Sequence, residues 1–308
     1  MELRERYAGS LLGLAIGDAL GATLEFRKPG TFEPLTEMIG GGPFDLQPGQ
    51  WTDDTSMALC LAESLSETGR FDPEDQMNRY LAWYRKGYMS CKDHCFDIGN
   101  ATKEALWRYE QTGQPYSGST DPRTAGNGSI MRLAPVALFF AGEPRQAIDM
   151  CAQSSRTTHA AAQAVDGCRF LGALLLGALQ GVPKDQLLAG AYSPVENLWA
   201  EEPLDPGIAR VALGSYKGKA ETEIKGSGYV VESLEAALWA FCTTDTFEAG
   251  LLRAVNLGDD ADTTGAVYGQ LAGAYYGVEA LPKRMLDLLA KRELIEQMAD
   301  KLLDRRAN

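Results

Sequence analysis

Apolar residues recur at three- and four-residue intervals along most of this chain, and convincing period-two alternation is absent. The spacing predicts helices over 2–24, 55–68, 73–86, 98–112, 131–141, 144–154, 159–179, 231–242, 246–256, 262–276 and 282–305, and hence an all-α protein. Several boundaries carry their own signal. Gly181-Val182-Pro183 stops one helix, Asp72-Pro73 starts another, and Gly277 ends a third. Irregular sequence concentrates in 27–50, 112–129 and 182–228, and long loops of this kind often form binding surfaces. No low-complexity linker divides the 308 residues, so the simplest assignment is one domain over 1–308.

Within the helical pattern two glycine ladders stand out: Gly13, Gly17 and Gly21 near the N-terminus, and Gly265, Gly269, Gly273 and Gly277 near the C-terminus. Four-residue spacing puts each ladder on one helical face. Glycine inside a helix costs about 1 kcal/mol relative to alanine, so seven of them require a return, and close approach of two helix backbones supplies one. The two helices are therefore expected to be buried and to touch.

Charge narrows the partners. A formal net charge of −13, with no run of Lys or Arg, argues against nucleic acid and requires metal ions or backbone amides to hold any anionic ligand. The N-terminus lacks the form of a signal peptide, since Glu2 and Glu5 offset Arg4 and Arg6 and Asp18 interrupts the apolar run. The apolar stretch 170–179 is short for a membrane span. Six scattered cysteines fit a reducing compartment, so a cytoplasmic monomer without membrane association is expected. Cys91-Lys92-Asp93-His94-Cys95 lacks a second ligand pair at zinc-finger spacing and reads as a helical segment with ordinary thiols.

Two acidic clusters carry the chemistry: Trp51-Thr52-Asp53-Asp54-Thr55 and Gly258-Asp259-Asp260-Ala261-Asp262-Thr263-Thr264, each directly ahead of a helical stretch. Asp and Thr at such places ordinarily serve as helix caps. A cap contributes only about 1 kcal/mol and needs neither the pair Asp53–Asp54 nor a third carboxylate at Asp262. If the clusters, 206 positions apart, meet in space, each close carboxylate pair repels by roughly 4 kcal/mol at 4 Å and an effective dielectric of 20. A bound cation relieves that, and hard oxygen donors suit Mg²⁺, Mn²⁺ or Ca²⁺. Two unrelated helix starts remain the alternative.

Gly17-Asp18-Ala19-Leu20-Gly21-Ala22-Thr23-Leu24-Glu25 adds a carboxylate just beyond the first ladder. Taken in order with Trp51–Asp54, Phe96-Asp97-Ile98-Gly99, Gly126-Asn127-Gly128-Ser129, Thr157-Thr158-His159 and Asp260–Thr264, the set closely resembles the ADP-ribosylglycohydrolase family over nearly the whole chain. Each motif alone is weak, whereas the ordered set is specific. The resemblance implies an all-helical domain with two Mg²⁺ or Mn²⁺ ions in a cleft, where the distal ribose of ADP-ribose is held and its anomeric bond hydrolysed. It implies Thr52, Asp53, Asp54, Asp260, Asp262 and Thr263 as metal ligands and Glu25 as an acidic residue near metal or substrate. Asp259 reads as a helix cap.

The Asp97-Ile98-Gly99 turn resembles the branch containing the dinitrogen-reductase-activating glycohydrolase, which removes ADP-ribose from arginine. Asp97 is thus a candidate for proton transfer, with N-capping of the following helix as its ordinary role. Gly126, Asn127, Gly128 and Ser129 can offer backbone amides to phosphate. By resemblance, His159 contacts substrate and Tyr229 lies beside the ribose or the adjoining group. The expected activity is metal-dependent hydrolysis of an N-glycosidic bond in an ADP-ribosylated protein, foremost ADP-ribosyl-arginine. Rivals are a two-metal phosphoester or pyrophosphate hydrolase and a non-catalytic ADP-ribose-binding or immunity protein.

Overall fold

The computed structural model describes residues 1–306. Along the chain run α1 (Leu3–Gly21), α2 (Asp53–Thr68), α3 (Pro73–Lys86), α4 (Asn100–Thr112), α5 (Ala134–Phe139), α6 (Pro144–Arg156), α7 (Ala162–Leu179) and α8 (Lys184–Leu187). There follow α9 (Leu198–Glu201), α10 (Pro206–Ala212), α11 (Val230–Cys242), α12 (Phe247–Val255), α13 (Ala261–Tyr276), α14 (Lys283–Leu288) and α15 (Arg292–Arg305). Among the described residues there is no β-strand, only isolated bridges.

The glycine ladders make the central contact. α1 and α13 lie against each other along their length. A Cβ on Gly13 would overlap the carbonyl oxygen of Gly269, one on Gly17 that of Gly265, and one on Gly21 that of Ala261. Gly9, outside the expected ladder, continues the series against Gly273. Gly277 instead closes α13 at φ +79°. Since side chains are absent from the shared face, the backbones touch and both helix ends are fixed relative to one another. Ser10 Oγ donates to the Gln270 carbonyl at 2.9 Å within this seam.

Other helices surround the pair. α7 is apolar and long enough by composition to cross a membrane, yet 83% of that stretch is buried inside the protein, as befits a core helix. A smaller apolar cluster of Met57, Met77, Tyr80, Trp83 and Leu106 ties α2, α3 and α4 together. Gln270, fully buried on α13, donates to the carbonyls of Ile130 and Met131 and accepts from the amide of Ala134, so the loop before α5 is pinned to the central pair.

Several expected boundaries move. The helix expected over 282–305 breaks at 289–291, where Lys291 takes φ +50°. The break gives the Trp51 indole an acceptor, the Ala290 carbonyl at 3.0 Å, and so holds the loop leading into α2. The segment 91–95 is a series of turns, not a helix, with the Cys91 thiol donating to the Trp51 carbonyl. α4 begins at Asn100 with Gly99 as N-cap, so Asp97 does not cap it. Asp260, not Asp259, is the N-cap residue of α13.

Candidate active site

The start of α2 shows why its acidic residues are free for other work. Its N-cap, Thr52, makes no side-chain cap bond. The cap is supplied from α1: Asp18 accepts from the amides of Thr52 (2.8 Å) and Thr55 (3.0 Å) and from both hydroxyls (2.9 and 2.6 Å). The Asp260 side chain likewise makes no cap bond at α13. The reading of two unrelated helix caps therefore fails at both helices, and the carboxylates of Asp53, Asp54, Asp260 and Asp262 are left to face one another.

They converge with two further acids. Oxygens of Glu25, Asp97 and Asp262 all lie within 4.8 Å of one another, although they come from the loop after α1, the loop before α4 and the first turn of α13. Thr52 Oγ1 lies 3.3 Å from Asp262 Oδ2, and Thr263 Oγ1 lies 3.4 Å from Asp54 Oδ2, linking the two helix starts. Oε2 of Glu25 and Oδ1 of Asp54 are buried with no hydrogen-bond partner. Such orphaned carboxylate oxygens beside hydroxyls fit a hard divalent cation.

Electrostatics says the same. Burial, and next the charge of Asp262, pushes Asp53 and Glu25 far above the usual carboxylate range. Burial followed by Asp18 does so for Asp54, and burial followed by Asp262 for Asp260. Asp97 is pushed up to about 11 by burial and then by Asp53 and Asp262. Burial, and next the charge of Asp262, raises Asp18 only to about 7, because hydrogen bonds from Thr55 and Thr52 offset part of that penalty. Burial and mutual repulsion thus favour the protonated forms of these acids, and a divalent cation would compete with those protons.

The acids line one side of a cleft of about 510 Å³ whose walls include Glu25, Asp53, Asp97, Asp260, Asp262 and Thr263 but no Lys or Arg. Thr52 and Asp54 lie behind this wall, buried. The opposite side is the turn at Gly126–Ser129. Its Gly126 and Asn127 amides are engaged by the carbonyls of Thr124 and Gly228, whereas those of Gly128 and Ser129 have no acceptor among the described residues. The Asn127 side chain donates to Asp260 Oδ2 (2.5 Å) and Ser233 Oγ (3.2 Å), so its amide nitrogen orients an acid at the cleft wall. Ser129 itself does not line the cleft, and its hydroxyl is buried against Ser155 (2.9 Å).

His159 lines the cleft in a defined protonation state. Arg132, fully buried, donates to the Gly128 carbonyl (2.6 Å) and to Thr158 Oγ1 (2.5 Å). The Thr158 hydroxyl that accepts from this guanidinium lies 2.8 Å from His159 Nδ1, so Nδ1 is engaged there and Nε2 is the ring nitrogen without a partner among the described residues. Burial, and secondarily Arg132, lowers the His159 pKa to about 3, so the ring is neutral. Tyr229 is outside this cleft. It stands 38% exposed in an adjoining depression that shares Asn100, Ala101, Gly126 and Gly228 with it, its hydroxyl donating to Gln163 at 2.6 Å.

Sequence reasoning missed Asp18, Arg132 and Thr158 as parts of this arrangement. A signal existed for the first two: each is a lone charge inside an otherwise apolar stretch, where burial without a purpose is costly.

The ADP-ribosylglycohydrolase family model matches residues 1–308. The chain is 44% identical over 301 residues to the ADP-ribosylarginine hydrolase Tri1 of Serratia proteamaculans, covering 98% of this chain and 80% of that one. It is 35% identical over 309 residues to the ADP-ribosyl-[dinitrogen reductase] glycohydrolase of Rhodospirillum rubrum, covering 96% and 95%. A solved structure described as an ADP-ribosylglycohydrolase-related protein complex superposes with a TM-score of 0.88 at 47% identity, covering 99% of each chain.

Proposed function

The chain belongs to the ADP-ribosylglycohydrolase family, and from that membership we propose that it hydrolyses the N-glycosidic bond between ADP-ribose and an arginine side chain of a protein. The observation that carries this reading is the convergence of Glu25, Asp97 and Asp262 in a cleft with no basic side chain. Relatives named for hydrolysis of ADP-ribosyl-arginine match nearly the whole chain.

Thr52, Asp53, Asp54, Asp260, Asp262 and Thr263 would hold two Mg²⁺ or Mn²⁺ ions, which when bound polarise ribose hydroxyls and a water molecule. Asp18 holds Thr52 in place, and Asn127 holds Asp260. The free amide of Gly128 and the neutral His159 ring offer uncharged polar contacts to the phosphates or ribose oxygens, which suits a protein of net charge −13. The remainder of the nucleotide would extend past Gly126 and Gly228 toward Tyr229. Asp97 transfers the proton between substrate and solvent during cleavage, and Glu25 positions water or substrate.

A panel of ADP-ribosyl-arginine, ADP-ribosyl-serine and free ADP-ribose, each with and without chelator, tests the reading. Chelator-sensitive release of intact ADP-ribose from the arginine conjugate is expected. Release of AMP from ADP-ribose would instead mark a pyrophosphatase. Asp97→Asn should lower kcat by about 10²–10⁴-fold while leaving ADP-ribose affinity, measured by calorimetry with Mn²⁺, within about twofold; an unimpaired rate removes Asp97 from the mechanism.

A further inference from the structure

The residue that follows Glu25 is Phe26, and the residue that precedes Asp97 is Phe96. Phe26 is 66% exposed at the rim of the acidic cleft, an unusual place for so large an apolar side chain. It is not loosely placed. Its backbone takes φ +60°, and its amide donates to the carbonyl of Asp259, itself at φ +59°, while the Asp259 amide donates to the carbonyl of Arg27, both at 2.7 Å. A left-handed conformation at a bulky residue is costly and persists only where its surroundings impose it.

Phe26 meets Phe44 edge-on at 6.5 Å between centroids, and Phe44 meets Phe96 at 5.4 Å, so three rings form a band beside the two acids. The contact is T-shaped and leaves most of the Phe26 ring exposed. A cation already uses this band: the Lys92 ammonium stands over the Phe96 ring at 5.4 Å and donates to the Phe44 carbonyl. The position relative to substrate follows from the cleft. Its far end opens past Gly126 and Gly228 into the depression with Tyr229, which Phe26 does not line. The anomeric carbon of a ribose lies opposite the carbon that bears the phosphates, so a group attached there points toward the rim with Phe26, Glu25 and Asp97.

Resting on the function proposed above, we infer that Phe26, backed by Phe44 and Phe96, forms a subsite for the guanidinium of the target arginine. The cation stacks on the exposed ring of Phe26, with the cleft carboxylates supplying complementary charge. This subsite favours a cationic aglycone over a neutral one and adds nothing to the hold on ADP-ribose.

Steady-state kinetics of wild type, Phe26→Leu and Phe26→Trp on ADP-ribosyl-arginine, together with ADP-ribose affinity by calorimetry in Mn²⁺ and thermal melting, tests it. Leucine keeps apolar bulk but has no ring face. F26L is expected to lose about tenfold in kcat/KM on the arginine conjugate at unchanged ADP-ribose affinity and melting temperature, with F26W restoring the rate. Wild-type kinetics in F26L overturns the subsite alone, as does an equal loss of ADP-ribose affinity. A wild-type enzyme that cleaves other linkages but not the arginine conjugate overturns the functional reading and the subsite with it.

Discussion

Asp18 shows how one buried residue frees a helix start for the metal-holding role proposed above. Its two oxygens receive four hydrogen bonds from Thr52 and Thr55, an arrangement that only an ionised carboxylate satisfies fully. Asp18→Asn replaces one acceptor with a donor facing a donor. The Thr52 hydroxyl is then released, and Mn²⁺ affinity should fall about 10- to 100-fold, as for other groups that orient metal ligands. Titration calorimetry on the folded variant checks this, and unchanged affinity would reduce Asp18 to a helix cap. In the sequence Asp18 shows only as an interruption in an apolar run, because hydrogen bonds to a residue 34 positions away leave no local pattern. Ser129 shows the converse: its motif placed it at the site, but the fold turns its hydroxyl into the interior toward Ser155.

At the scale of elements, the α1–α13 seam sets the distance between the acids. Gly17 and Gly265 face each other so closely that a Cβ on either overlaps the other's carbonyl, and no flexible side chain is present to give way. Gly17→Ala must therefore push the helices apart. A cost of about 1–3 kcal/mol is expected, the usual size of overpacking, and chemical denaturation measures it; a stability equal to wild type contradicts the close approach. Because Asp18 follows Gly17 directly and Asp262 stands in the helical turn just ahead of Gly265, metal affinity should fall in the same variant. This pairing was legible in the sequence, since four-residue spacing of glycine has few other physical explanations. The break at 289–291 was not, because no helix-stopping residue marks it and its hydrogen bonds, to the Trp51 indole and the Gly49 carbonyl, come from remote parts of the chain. The short helices α8, α9 and α10 fall in 182–228, where too few turns exist for periodicity to show.

For the molecule as a whole, the acidic site makes folding stability depend on pH and metal together. A carboxylate whose pKa is raised by folding keeps its proton while the unfolded chain has already lost one, so stability falls as pH rises between the two values. For Asp18 that window runs from its ordinary 3.8 to about 7, and for Asp97 from 3.8 to about 11. His159 acts oppositely. Its pKa drops from 6.5 to about 3 in the fold, so it adds stability as pH rises to about 6.5 and nothing beyond. The surface acid Asp121, lowered to about 2 by Arg123, matters only below its ordinary 3.8. Between about pH 7 and 8, then, the metal-free protein should lose stability, with Asp97 alone contributing at most about 1.4 kcal/mol per pH unit. Divalent ions compete with those protons, so their stabilising effect should grow over the same interval. Melting curves at about pH 7.0, 7.5 and 8.0 in chelator and in excess Mn²⁺ measure both slopes, and Asp97→Asn should flatten the chelator series. A chelated protein whose melting temperature does not fall across this interval would mean that the carboxylates are already ionised without metal, so that cation binding need displace no protons.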